Sequence, residues 1–325
     1  MGNIERKQYV DYIKAFGIIL VILGHVNFAN GGVKTWIYSF HMPLFFFATG
    51  LTIRKRLINW NFVDGKVKAL IVPYFLWGTI YSQFSFGNLL RIAYGSYLTI
   101  CSASTLSSLW FLPTMFIATI VAQLTVNKFA DKVSVICFIA IIVSTVRGLL
   151  PQIDIGYIWS ADVALTAIGF VLVGYVFERF FSYRIKCLAL NIGFIVIGLG
   201  LSLVGTFNKG LDRGYVLMAM NDYGHFFLFY IGAIGGCIFV YGVSVLVFQY
   251  GNKIIDKGLS YIGQNTLIVF AVQKPIIALH EQFFGILLEN VDSCAILTVT
   301  TVDTVVISML ICILINKYCK CLAGK

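Results

Sequence analysis

Charge is what this sequence has least of. Of its 325 residues 12% are charged and 59% hydrophobic, and the mean hydropathy is +0.89. A soluble globular chain carries about twice that charged fraction, so a water-soluble domain is excluded. No long polar insert, Pro/Ser-rich linker or heptad run divides the chain, and a single integral domain over residues 1–325 with no soluble appendage is expected. A glycine-rich phosphate loop and a dinucleotide fingerprint are also missing, so a nucleotide-bearing ligand would have to be held by side-chain cations. The N-terminal MGNIERKQYV lacks a small-residue cleavage site, and Arg6 stands where myristoylation needs Ser or Thr, which predicts an uncleaved first span. The eight cysteines include Cys319-x-Cys321 but no partner pair at zinc-ligand spacing, and no metal is expected.

What is present is a succession of apolar blocks of the length a bilayer core demands. They fall at about 12–30, 36–53, 69–88, 109–127, 133–150, 159–178, 187–206, 225–248, 259–279 and 294–315. The fold class is all-α, a polytopic transmembrane helical bundle of about ten spans. With the N-terminus inside, 17 Lys and Arg residues fall on inner segments and 5 on outer ones, and Lys14 and Lys274 within spans complete the 24. The positive-inside rule then places both termini in the cytoplasm. The net charge of +10 belongs to that inner face, where membrane lipids are its natural partner, and no nucleic acid is expected.

Ionisable residues inside spans are costly and are functional candidates by default. In the stretch KAFGIILVILGH, Lys14 and His25 stand eleven residues apart. Eleven steps of 100° leave them on one helix face, about 16 Å apart along the axis. Asp11 falls on the same side, within reach of the Lys14 ammonium. His41, on the returning second span, is expected at the depth of His25. Two histidines at one level suit a base with an orienting partner, half of a metal site, or a proton relay. The second span ends in Arg54-Lys55-Arg56, a run that suits polyphosphate as well as lipid headgroups. Asp162 stands near the outer end of the sixth span, as an orienting carboxylate or a helix-end charge. Tyr223 and His225 open the eighth span. His280 and Glu281 read as a solvated outer pair.

These residues resemble the acyltransferase family 3 of integral membrane enzymes. The similar segments are YVDYIKAFGIILVILGH (Tyr9 to His25), YSFHMPLFFFATGL (Tyr38 to Leu51), KALIVPY (Lys68 to Tyr74), LWFLP (Leu109 to Pro113) and IGQNTLIVF (Ile262 to Phe270). The SFHMPLFFF form is similar to the branch of fucose 4-O-acetylase-like and polysaccharide O-acetyltransferases. The resemblance implies transfer of an acetyl group from cytoplasmic acetyl-CoA to a hydroxyl of a carbohydrate or lipid-linked glycan. By position it implies His25 as the catalytic histidine, acting as base or acyl carrier, with Lys14 as its basic partner; His41, at the same depth, is the second catalytic candidate. Lys14, Arg54 and Arg56 would meet the donor. Trp110, with Trp36 and Tyr38, is a sugar-stacking candidate or part of an interfacial aromatic belt, and Asp162 and Tyr223 are acceptor-side candidates. A bacterial cytoplasmic membrane is the expected location, and oligomeric state is left open. The chain departs from the family pattern at Gln273-Lys274-Pro275, where members carry a histidine, and at Ala69, where many carry an arginine. The alternative is a transporter or flippase for a lipid-linked saccharide, which predicts polar residues and broken helices in several spans.

Overall fold

Hydrocarbon leaves a backbone no hydrogen-bonding partner but itself, so apolar runs become helices. The computed structural model describes residues 7–27, 31–56, 58–101, 106–151, 153–182, 185–287 and 293–325. Arg6 and Arg184 of the inner-face count lie outside the described residues. The helices are α1 (Gln8–His25), α2 (Gly31–Gly50), α3 (Trp60–Lys66), α4 (Val72–Tyr81), α5 (Phe86–Tyr94), α6 (Tyr97–Ile100) and α7 (Phe111–Phe129). They continue as α8 (Val133–Val146), α9 (Ala161–Phe181), α10 (Leu188–Val204), α11 (Phe226–Tyr250), α12 (Lys253–Gln264), α13 (Thr266–Leu287) and α14 (Ser293–Tyr318). Among the described residues there is no β-strand, only an isolated bridge between Leu217 and Asp222.

Among the described residues five stretches are each long and apolar enough to cross a membrane: 106–129, 158–181, 188–207, 226–250 and 294–318; the bent pair α12 and α13 makes a sixth if taken together. The helices α1 and α2 fall outside that set. Asp11, Lys14 and His25 on one, and Lys34 and His41 on the other, lower their hydropathy. Such helices need protein around them, and they have it. The helix α1 packs against α2, α11, α12, α13 and α14, while α2 packs against α9 and α11 as well. Tyr12, Ile13, Ile18 and Ile22 of α1 and Phe40, Phe46 and Phe47 of α2 are fully buried. The peripheral helices instead turn Ile141, Val196 and Leu314 outward.

The two central helices run antiparallel, with Gly17 facing Leu44 and Phe45 and Gly24 facing Ile37 and Tyr38. Close approach of α2 to α9 depends on glycine. A Cβ on Gly174 would lie 2.2 Å from the Phe47 carbonyl oxygen, a distance only the absence of a side chain allows.

Two spans differ from the sequence expectation. The third, expected at 69–88, is joined at its inner end to α3 by a π-helical turn at Val67–Ile71 and stops, as α4, at Tyr81. Ser82 turns its hydroxyl back to the Thr79 carbonyl, and Gln83 and Phe84 take left-handed backbone, φ 50° and 60°, so the helix cannot continue to residue 88. The ninth, expected at 259–279, is divided at Asn265. There α12 and α13 meet at 82°, because Lys253–Gln264 is amphipathic and packs on the inner end of α1. Asn252 caps α12 by accepting from the amides of Ile254 and Ile255. Within α13, Pro275 has no N–H to offer the Ala271 carbonyl, and the Tyr81 hydroxyl donates to it instead at 3.0 Å.

Candidate active site

The antiparallel pairing of α1 and α2 brings His25 and His41 to one cavity of about 180 Å³. Tyr38 lies between them, its ring centroid 6.3 Å from that of His25 and 4.7 Å from that of His41. Trp110, Ser107 and Ser108, just before α7, form another wall, and Lys274 of α13 a third. The segment Arg213 to Ala219 closes the outer side, with Tyr215 packed on Tyr38 at 4.5 Å.

The hydrogen bonds constrain the chemistry. His41 Nδ1 lies 2.9 Å from the Ile37 carbonyl oxygen. A carbonyl only accepts, so Nδ1 carries the proton, and the neutral ring offers Nε2 as an acceptor. His25 Nδ1 and the Ser108 hydroxyl are buried with no hydrogen-bond partner among the described residues. Lys274 Nζ donates to Ser107 Oγ at 2.5 Å.

A second cavity, of about 150 Å³, lies farther in and is lined by Lys14, Thr49, Leu70, Met115 and Thr266. Phe270 lines both cavities. It packs on Phe111 at 5.4 Å, and Phe111 packs on Phe45 at 5.8 Å. Lys14 and His25 therefore border successive cavities along one side of α1, with an aromatic cluster where the cavities meet. The π-helical turn that carries Leu70 borders the inner one, a frequent place for such turns.

The cations of the inner end divide. Arg56 donates through Nε to Gln123 and lies 4.2 Å over the Phe62 ring. The Gln123 and Asn127 side chains grip the loop by accepting from the Arg56 amide and donating to the Arg54 and Arg56 carbonyls. Lys66, which precedes the third span, feels the charges of Arg56 and Lys14; burial first, and those cations second, push its amine down to about 8. Partial burial likewise lowers Arg56 from the usual guanidinium range. Arg54 is directed away from this group. It lines a separate inner cavity of about 500 Å³ with Lys7, Glu178 and Arg179, where Glu178 pairs with Lys7 and accepts from the Tyr9 hydroxyl. Lys66 thus stands near both Lys14 and Arg56, while Arg54 lines a different cavity.

Asp162 and Tyr223 do not line the histidine cavity. Asp162 accepts from Asn221 Nδ2 at 2.5 Å and, in the first turn of α9, complements that helix end. The Tyr223 hydroxyl donates to Asn221 Oδ1 at 3.1 Å. Asp162, Arg147, Asp154 and Asn221 line a neighbouring cavity of about 290 Å³ that shares Ala219 with the histidine cavity. His225 donates its amide to Asn208. Glu281 does not form a solvated pair with His280; it accepts from the Asn27 amide and side chain at 2.8 and 2.7 Å, tying α13 to the end of α1.

Lys66, Lys274 and the Arg213–Ala219 wall are contributions that linear spacing does not assign. Lys274 alone carried a signal, as a charge inside an apolar span. An acyltransferase-domain family model matches residues 7–316. No curated protein matches the chain.

Proposed function

The chain belongs to the acyltransferase family, and from that premise we propose that it moves an acetyl group from cytoplasmic acetyl-CoA to a hydroxyl of a carbohydrate or lipid-linked glycan. The setting is the cytoplasmic membrane of a bacterium, and the acceptor stands at the outer face. The observation that carries this reading is the pair of cavities sharing Phe270, one bordered by Lys14 and the other by two histidines.

Lys14, Arg56 and Lys66 hold the donor's phosphates, since cations are what the sequence offers in place of a phosphate loop. The extended arm of the donor then carries the thioester the roughly 16 Å of helix rise from Lys14 to His25. His25 takes the proton of the acceptor hydroxyl as its oxygen attacks the thioester carbonyl carbon. His41, with Nδ1–H held by Ile37, presents an acceptor nitrogen to a neighbouring hydroxyl of the sugar and so orients the ring; its neutral imidazole has no donor left for an oxyanion. Lys274 supplies one, meeting the tetrahedral intermediate's oxygen with its ammonium. The carbon–sulfur bond then breaks, the thiolate recovers the proton from His25, and CoA departs inward. Trp110 offers an apolar face to the sugar ring.

Mass spectrometry of surface glycans tests the reading. Deleting the gene should remove one acetyl group per repeating unit; the wild-type chain should restore it, and His25→Ala, at equal membrane level, should not. Unchanged acetylation after deletion, or restoration by the variant, would overturn it.

A further inference from the structure

Gln273 is fully buried in α13 beside His25. Neither of its amide atoms has a hydrogen-bond partner among the described residues, and His25 Nδ1 is in the same condition. A buried polar atom left without a hydrogen bond gives up its hydration for nothing, and three at one place need a joint explanation. A carboxamide oxygen accepts and an imidazole Nδ1–H donates, so one bond between them satisfies two of the three. Gln273 does not line the cavity, so it stands behind the ring, away from any substrate. Pro275 adds a fixed element: with Ala271's freed carbonyl held by Tyr81, the turn carrying Gln273 is secured from a second helix.

We propose that Gln273 is a positioning residue for His25, its amide oxygen accepting from Nδ1–H and thereby leaving Nε2 unprotonated toward the outer cavity. The assignment rests on the acetyl-transfer reading. It explains why the polar residue adjacent to Lys274 in α13 is an uncharged amide. An amide fixes the tautomer of a buried ring without adding a second buried charge. His41 is held in the same tautomer by Ile37, so both rings present Nε2.

The test uses the full chain in membranes, with the released CoA thiol and the acetylated glycan as readouts. Gln273→Met keeps length and removes the acceptor; Gln273→Glu keeps an acceptor. The expected result is a kcat about tenfold or more lower in Gln273→Met with KM for acetyl-CoA unchanged, and a kcat within about threefold of wild type in Gln273→Glu. Gln273→Leu serves in place of Met if that variant does not reach the membrane. Unchanged kcat in the apolar variant, loss of KM and kcat together, or a Glu variant no better than Met would overturn the positioning role. His25→Ala, run alongside, separates the two claims: if it transfers acetyl normally the functional reading itself fails, whereas an inactive His25→Ala with a normal Gln273→Met fails the positioning role alone.

Discussion

Lys66 enters the account by position: it lies near enough to Arg56 and Lys14 to feel their charges, and burial together with those cations lowers its amine to about 8. A lysine is charged below its pKa, so its grip on a donor phosphate is present below about pH 8 and lost as pH rises through that value. The rate at low acetyl-CoA, which reports groups of the free protein, should therefore fall above pH 8 in the wild type. Lys66→Arg, charged throughout, should remove that fall. Arg56→Ala should raise the KM for acetyl-CoA by about tenfold or more, the worth of one charge-assisted hydrogen bond, and Arg54→Ala should leave it unchanged because Arg54 faces another cavity. Equal effects of the two arginines, measured as initial rates against acetyl-CoA, would contradict the division. In the sequence these two arginines are equivalent. What separates them is the Gln123 and Asn127 clamp from α7, a contact between segments almost 70 residues apart that no local pattern encodes.

At the scale of elements, the site depends on two buried helices that are themselves poor in hydropathy. The helix α2 is seated by glycine contacts with α9, and Gly174→Val should push a side chain into the Phe47 carbonyl. The expected cost is that of overpacking, about 1–3 kcal/mol, seen as a lower melting temperature of the detergent-solubilised protein. Gly193→Ala, where a Cβ meets nothing within 4 Å, should leave it unchanged. An equal loss in both would show that the α2–α9 contact does not govern stability. The face shared by Lys14 and His25 was legible because one helix carries both and its period is fixed. The ends of the third and ninth spans were not, since the Ser82 turn and the amphipathic α12 are decided by packing and by hydroxyl-to-carbonyl bonds. For the same reason the sequence marks Gln273 only as a departure from the family pattern and not as a neighbour of His25. Its proximity to His25 comes from α13 packing on α1.

Across the whole molecule, an inner cavity bordered by Lys14 and an outer cavity with two histidines meet at Phe270. The positive-inside partition assigns the first to the cytoplasm. On the function proposed above, the donor would be drawn from one side of the membrane and the acceptor modified on the other, which a soluble acetyltransferase cannot do. That sidedness is the central claim, and acetyl-CoA, which does not cross a bilayer, can measure it. Labelled acetyl-CoA would be added outside sealed membrane vesicles of known orientation that contain the acceptor glycan. Inside-out vesicles should label the glycan on their luminal face and right-side-out vesicles should not, with His25→Ala silent in both. Equal labelling in the two orientations, or labelling confined to right-side-out vesicles, would contradict the account.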